Sequence, residues 1–183
     1  MKHIRKIAAS CLLLCANLVH AQDFREVNWL ELLPPTDRDA LLSQPAVQHG
    51  ADPSNDARPT LGGNLGAKAM SDQEVTAAWQ STNIVPEFNN LSVKIPGFVV
   101  PLEFDAAQNV TEFFLVPYFG ACIHTPAPPP NQIIYVEVPG GFPLKSIYEP
   151  YYVQGTMAIS MTHKEIGISA YSMIAEDVIL YSK

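Results

Sequence analysis

Cys122 and His124 stand two residues apart within the segment PYFGACIHTPAPPPNQ, residues 117–132. In extended backbone, residues two apart point to the same side, so a thiolate and an imidazole would face one space. Zinc and copper take both groups as ligands. The same two groups can instead form a thiolate–imidazolium pair, in which the cation lowers the thiol pKa and makes sulfur a nucleophile. A third reading makes Cys122 a small buried hydrophobe, the common fate of a free cysteine, and His124 a surface histidine. Spacing alone leaves all three open. Pro126, Pro128, Pro129 and Pro130 follow. They hold the chain in a stiff extended path, lack N–H donors and exclude a central strand.

Two ligands hold an ion weakly, so further donors must come from elsewhere in the chain. The candidates are His163, His49, Glu103 and Asp105. His163 lies in Thr162-His163-Lys164-Glu165, which reads as a solvated turn after a strand, and His49 lies in a segment without periodicity. Glu103 and Asp105 lie in an expected hairpin. The chain has no Gly-x-Ser-x-Gly elbow, no His-Glu-x-x-His and no P-loop, so it lacks the common hydrolase, zincin and nucleotide-binding signatures, and no catalytic motif argues for an enzyme. Tyr148, Tyr151 and Tyr152 around Pro150 read as core and edge packing, with a stacking platform for a sugar or peptide as the alternative.

The elements that position these residues are short. The chain has 183 residues, 48% hydrophobic and 16% charged, enough apolar material for one domain with a core. Residues 1–21, MKHIRKIAASCLLLCANLVHA, have the basic start, apolar middle and small final residue of a secretory signal. That predicts export to the periplasm, with lipid anchoring the less favoured route. Cys11 and Cys15 leave with the leader, and Cys122 stays as a lone cysteine in an oxidising compartment. Lys2, Arg5 and Lys6 leave too, which moves the net charge from −7 to −10. Such a charge argues against nucleic acid as a partner, and no later stretch is apolar enough for a membrane span.

Residues 22–90 read as an extension of short helices and loop. Trp29-Leu30-Glu31-Leu32-Leu33 ends at Pro34-Pro35, a second helix starts with Thr36 or Asp37 as cap, and residues 46–66 form a loop. Ser71-Asp72-Gln73-Glu74 is a capping box ahead of a third helix. From residue 91 the chain changes character. Five segments, 91–104, 110–118, 132–138, 151–161 and 169–181, are rich in β-branched and aromatic residues. Residues 105–109 predict a hairpin, and Pro139-Gly140-Gly141 predicts a turn. Pro96, Gly97, Pro101 and Pro117 inside the strands point to bulges and strong coiling. The expected fold is mainly β: a small OB-like five-stranded barrel over 91–183, with the N-terminal extension packed on it.

Three stretches together carry a family likeness: Trp29-Leu30-Glu31-Leu32-Leu33-Pro34; Lys94-Ile95-Pro96-Gly97-Phe98-Val99-Val100-Pro101-Leu102-Glu103; and Phe114 to Pro126 with Pro128-Pro129-Pro130-Asn131-Gln132. They resemble an uncharacterised bacterial exported family, domain of unknown function 3299, over most of the mature chain. The resemblance implies a secreted or lipid-anchored protein with an OB-like barrel, and an association with zinc-uptake transport. It carries Cys122 further than His124, which some members replace. The functional expectation is an exported accessory protein that binds zinc, or copper, and serves a metal transporter component or another exported protein. The alternatives are a binding module for a protein, peptide or glycan with Cys122 structural, and a thiol nucleophile or redox protein.

Overall fold

The computed structural model describes residues 23–43, 71–121 and 127–181. The expected leader (1–21), the 46–66 loop, His49, Cys122 and His124 lie outside these described residues.

Five strands close into a barrel: β2 (Leu91–Phe104), β3 (Val110–Val116), β4 (Ile134–Phe142), β5 (Tyr151–Ala158) and β8 (Tyr171–Leu180). Their order around the wall is β2-β3-β4-β8-β5, and β5 returns to β2. The β4–β8 contact is parallel and the other four are antiparallel. This order is consistent with the OB-like expectation. Closure works because β2 is long and changes partner along its length. It pairs with β5 as far as Gly97↔Tyr151, then with β3 from Phe98↔Val116. The change falls at Pro96-Gly97, where proline removes a donor and glycine permits close approach. A Cβ at Gly97 would lie 2.9 Å from both Leu115 Cδ1 and the Val116 carbonyl oxygen.

The interior is filled by side chains at alternate positions, among them Val93, Ile95, Phe113, Leu115, Val136, Val153, Met157 and Tyr171. A second apolar cluster lies on the outside of the wall: Val100, Phe114, Val116, Ala121, Ile133 and Tyr135. Phe113 to Val116 are therefore all buried, the signature of a strand covered on both faces.

A two-residue strand β1 (Arg25–Glu26) pairs in parallel with β2 at Val93 and Lys94. A 3-10 turn over Trp29–Leu32 follows, closed by an Asn28–Glu31 capping box. Helix α1 (Pro35–Leu42) has Pro34 at its cap. Thr36 and Asp37 thus lie inside its first turn and neither caps it, because proline, with its preset φ, starts the helix already at Pro35. The Asp37 carboxylate is instead buried and accepts from Ser81 Oγ and Asn131 Nδ2. Helix α2 (Asp72–Trp79) is capped by Ser71, with Glu74 closing the box as the sequence predicts.

Two further expectations are corrected. Pro139-Gly140-Gly141 does not end a strand, because β4 runs through it to Phe142 as a bulge opposite Thr111. His163 is not in a turn: Thr162–Lys164 (β6) and Gly167–Ser169 (β7) form a small hairpin between β5 and β8. Among the described residues, no helix is long and apolar enough to cross a membrane.

Candidate functional site

The two ends of the Cys–His segment are fixed to the barrel wall. On its N-terminal side, β3 delivers Tyr118 to the outer apolar cluster. Gly120 then turns the chain with φ of 82°, and Ala121 is fully buried in the same cluster. A positive φ suits glycine because it has no Cβ to clash. On the C-terminal side Pro128 and Pro129 are buried, and Pro130–Gln132 form a 3-10 turn.

Asn131 and Gln132 anchor that turn with no solvent exposure. Asn131 Nδ2 donates to Asp37 Oδ2 at 2.9 Å and to the Asn83 carbonyl at 3.0 Å. Gln132 Nε2 donates to the Trp29 carbonyl at 2.7 Å. Each amide nitrogen faces acceptors, which fixes its orientation. Asn131 Oδ1 and Gln132 Oε1 are left buried without a partner. Sequence reading missed both anchors. Their one signal was two polar residues placed between a proline run and an apolar strand.

Aromatic rings stand beside the N-terminal anchor. Phe98 meets Phe119 at 6.0 Å between centroids, and Phe119 meets Tyr148 at 5.1 Å. Tyr148 is 72% exposed and Phe119 42%. The tyrosine trio therefore divides. Tyr151 is a core residue whose hydroxyl accepts from the Lys145 and Ser146 amides. Tyr152 stacks on Tyr181 under the Lys94 ammonium, and Tyr148 is a surface ring.

The described metal-donor candidates sit at the other end of β2 and on the hairpin. Asp105 is occupied locally: its carboxylate accepts from the Ala107 and Asn109 amides and from Asn109 Nδ2. These hydrogen bonds, the Asn109 amide foremost, hold its carboxyl below the ordinary carboxylate range. Glu103 is exposed near the end of β2, and His163 is exposed on β6 opposite Ile168. Among the described residues, no three His, Cys, Asp or Glu side chains are arranged to hold a metal ion.

The carboxylates near Glu103 engage a lysine instead. Lys164 Nζ lies 2.8 Å from Glu112 Oε2 and 5.1 Å from the Tyr135 ring centroid. The Lys164 hydrogen bond holds the Glu112 carboxyl below its usual range, and Glu112 in turn raises Lys164. Burial, reinforced by Glu112, pushes the Tyr135 hydroxyl upward.

The family described as "Protein of unknown function (DUF3299)" matches residues 29–180. A crystal structure of a DUF3299 family protein from Pseudomonas aeruginosa PAO1 is 34% identical, with a TM-score of 0.62 over 88% of this chain and 98% of that one. No curated protein matches the chain. The shared stretch runs from the Trp29 turn, across the barrel and its Cys–His–proline segment, to the end of β8: the chain belongs to the DUF3299 family.

Proposed function

We propose that this protein is an exported, non-catalytic accessory module that captures a transition-metal ion, zinc first and copper second, on Cys122 and His124. In this reading it works in the periplasm and passes the ion to a transporter component or another exported protein. One observation carries the reading: the Cys-x-His pair is spliced between two fixed ends, buried Ala121 and buried Pro128-Pro129. Tethering both ends reduces the conformational freedom that a short ligand-bearing segment loses on binding. Thiolate and imidazole suit zinc, and a donor set short of four leaves a position open to an acceptor's ligand. Asp105 is committed to its own turn, so a carboxylate there adds nothing to the pair.

The test is zinc affinity of the reduced mature protein by competition with a chelator, beside Cys122→Ser, His124→Ala and His163→Ala. One-to-one binding is expected, lost in the first two variants and kept in the third, with thermal stability unchanged in all. Absence of binding, with only Cys122→Ser losing stability, overturns the reading and makes the cysteine structural.

The exposed Phe119 and Tyr148 rings favour a second reading, a binding module for a peptide or glycan. Aromatic faces of this kind stack on apolar ring surfaces. A partner that co-purifies with the wild type and with Cys122→Ser, but not with Tyr148→Ala, is the result that reading requires.

A further inference from the structure

The outer wall of the barrel carries three carboxylates in a line. Register places Glu103 opposite Glu112, Glu112 opposite Glu137, and Glu137 opposite Ile174. Like charges directly opposite on neighbouring strands are destabilising. The cation set against this row is Lys164, at the end of β6. Its ammonium pairs with Glu112, lies over the Tyr135 ring and feels Glu103 and Glu137 as well. The paired side chains keep 31% and 28% exposure, so dissolved ions reach and screen them.

The hairpin that carries Lys164 stands outside the barrel sheet, and its ladder joins only its own two strands. A lone two-stranded hairpin is marginal in water, so its position depends on what pins it. Its C-terminal base is tied where the Ala170 amide donates to the Pro130 carbonyl at 2.8 Å. Near its other end the pin is Lys164. Beneath the ammonium lies the Tyr135 ring, 8% exposed, and its partner Glu112 also lines an open depression of about 310 Å³ with Thr111, Glu137, Val138, Pro139 and Ile174.

We infer that the β6–β7 hairpin is a strap latched across the outer wall by Lys164, which swings off Tyr135 when the carboxylate row is screened. The groups facing the ammonium are Glu103 from β2, Glu112 from β3, and Glu137 and Tyr135 from β4, with His163 and Glu165 beside it on the hairpin. The Lys164 hydrogen bond holds the Glu112 carboxyl below its usual range and burial holds the Tyr135 hydroxyl above its own, so ions rather than protons work the latch.

The experiment is amide hydrogen exchange on the full mature chain at about 20 mM and about 1 M salt. It compares the wild type, Lys164→Met, Lys164→Glu and the charge swap that combines Glu112→Lys with Lys164→Glu. Amides 162–169 are expected to exchange about three- to fivefold faster in Lys164→Met at low salt, the factor an exposed ion pair supports. Lys164→Glu goes further, the swap returns to wild type, and high salt removes the differences. Barrel amides stay unchanged throughout. Equal hairpin exchange in wild type and Lys164→Met overturns the latch, as does a swap that fails to restore protection or a barrel that loosens with the hairpin.

Discussion

Single side chains join the N-terminal extension to the barrel, Tyr171 among them. Its ring is fully buried and meets Phe88 edge-on, with centroids 6.4 Å apart. Its hydroxyl donates to the Leu32 carbonyl at 2.8 Å and accepts from the Val85 amide at 2.7 Å. One oxygen thus satisfies two backbone groups from different parts of the extension. Burial, the largest influence on this hydroxyl, pushes its pKa up to about 12, so it remains a donor through the physiological range. Tyr171→Phe keeps the ring and removes both bonds, leaving a buried carbonyl and a partly buried amide unpaired. The expected loss is about 2–3 kcal/mol, read as a lower urea midpoint at unchanged m-value. A midpoint within error of the wild type would mean that water replaces the hydroxyl. Residue types announced little of this, because a tyrosine in a strand pattern reads as packing whatever its hydroxyl reaches.

Strands were the most legible elements. The span 91–104 is β2 residue for residue, because alternation, β-branching and flanking Asn and Asp all agree there. Errors gathered where tertiary contact overrides local signals. Pro139-Gly140-Gly141 looks like a turn but serves as a bulge, since β3 holds β4 on both sides of it, at Glu137 and again at Phe142. The β6–β7 hairpin went unread because its three-residue strands carry too little pattern, and β1 because two residues carry none. For the candidate site, the Cys-x-His pair was legible as chemistry, whereas its Ala121 and Asn131-Gln132 anchors depend on neighbours distant in sequence. A second bulge supplies the prediction at this scale. Between Gln154 and Gly155 the β5–β8 register slips by one residue. A Cβ on Gly155 would meet the Ile174 carbonyl oxygen at 2.3 Å and Ala175 Cα at 2.9 Å. Both are backbone atoms of the facing strand and cannot turn aside. Gly155→Ala should therefore cost about 2 kcal/mol or more, at the overpacking end of such changes. Gly140→Ala, whose Cβ meets nothing within 4 Å, should stay within about 0.5 kcal/mol. Equal effects of the two in thermal denaturation would show that β8 shifts to make room.

Across the whole molecule, the extension completes the barrel rather than decorating it. Val27, Leu32 and Phe88 belong to the same buried cluster as the strand interiors, and Trp29, Ile84 and Val85 pack against it. Trp29 Nε1 donates to the Pro96 carbonyl at 2.6 Å, beside the point where β2 changes partner. β1 adds a parallel rung to β2, and the Val27 amide extends it to the Lys94 carbonyl at 2.9 Å. The buried network of Asp37, Ser81, Asn83 and Asn131 then ties α1 and the segment after α2 to the turn that ends the Cys–His–proline stretch. A chain beginning at residue 91 would keep all five barrel strands and lose every one of these contacts. It would expose apolar interior and leave Asn131, Gln132 and Tyr171 with unpaired polar atoms. Small domains retain about 5–15 kcal/mol of net stability, and several buried losses of about 1–3 kcal/mol each exceed that margin. Residues 91–183 alone should lack a cooperative thermal transition and bind a hydrophobic dye, whereas a chain of residues 22–183 should unfold in one step by circular dichroism and tryptophan fluorescence alike. A cooperative transition from 91–183, within about 4 °C of the 22–183 chain, would instead make the extension a separable attachment. The Cys–His segment would then have to be held by the barrel wall alone.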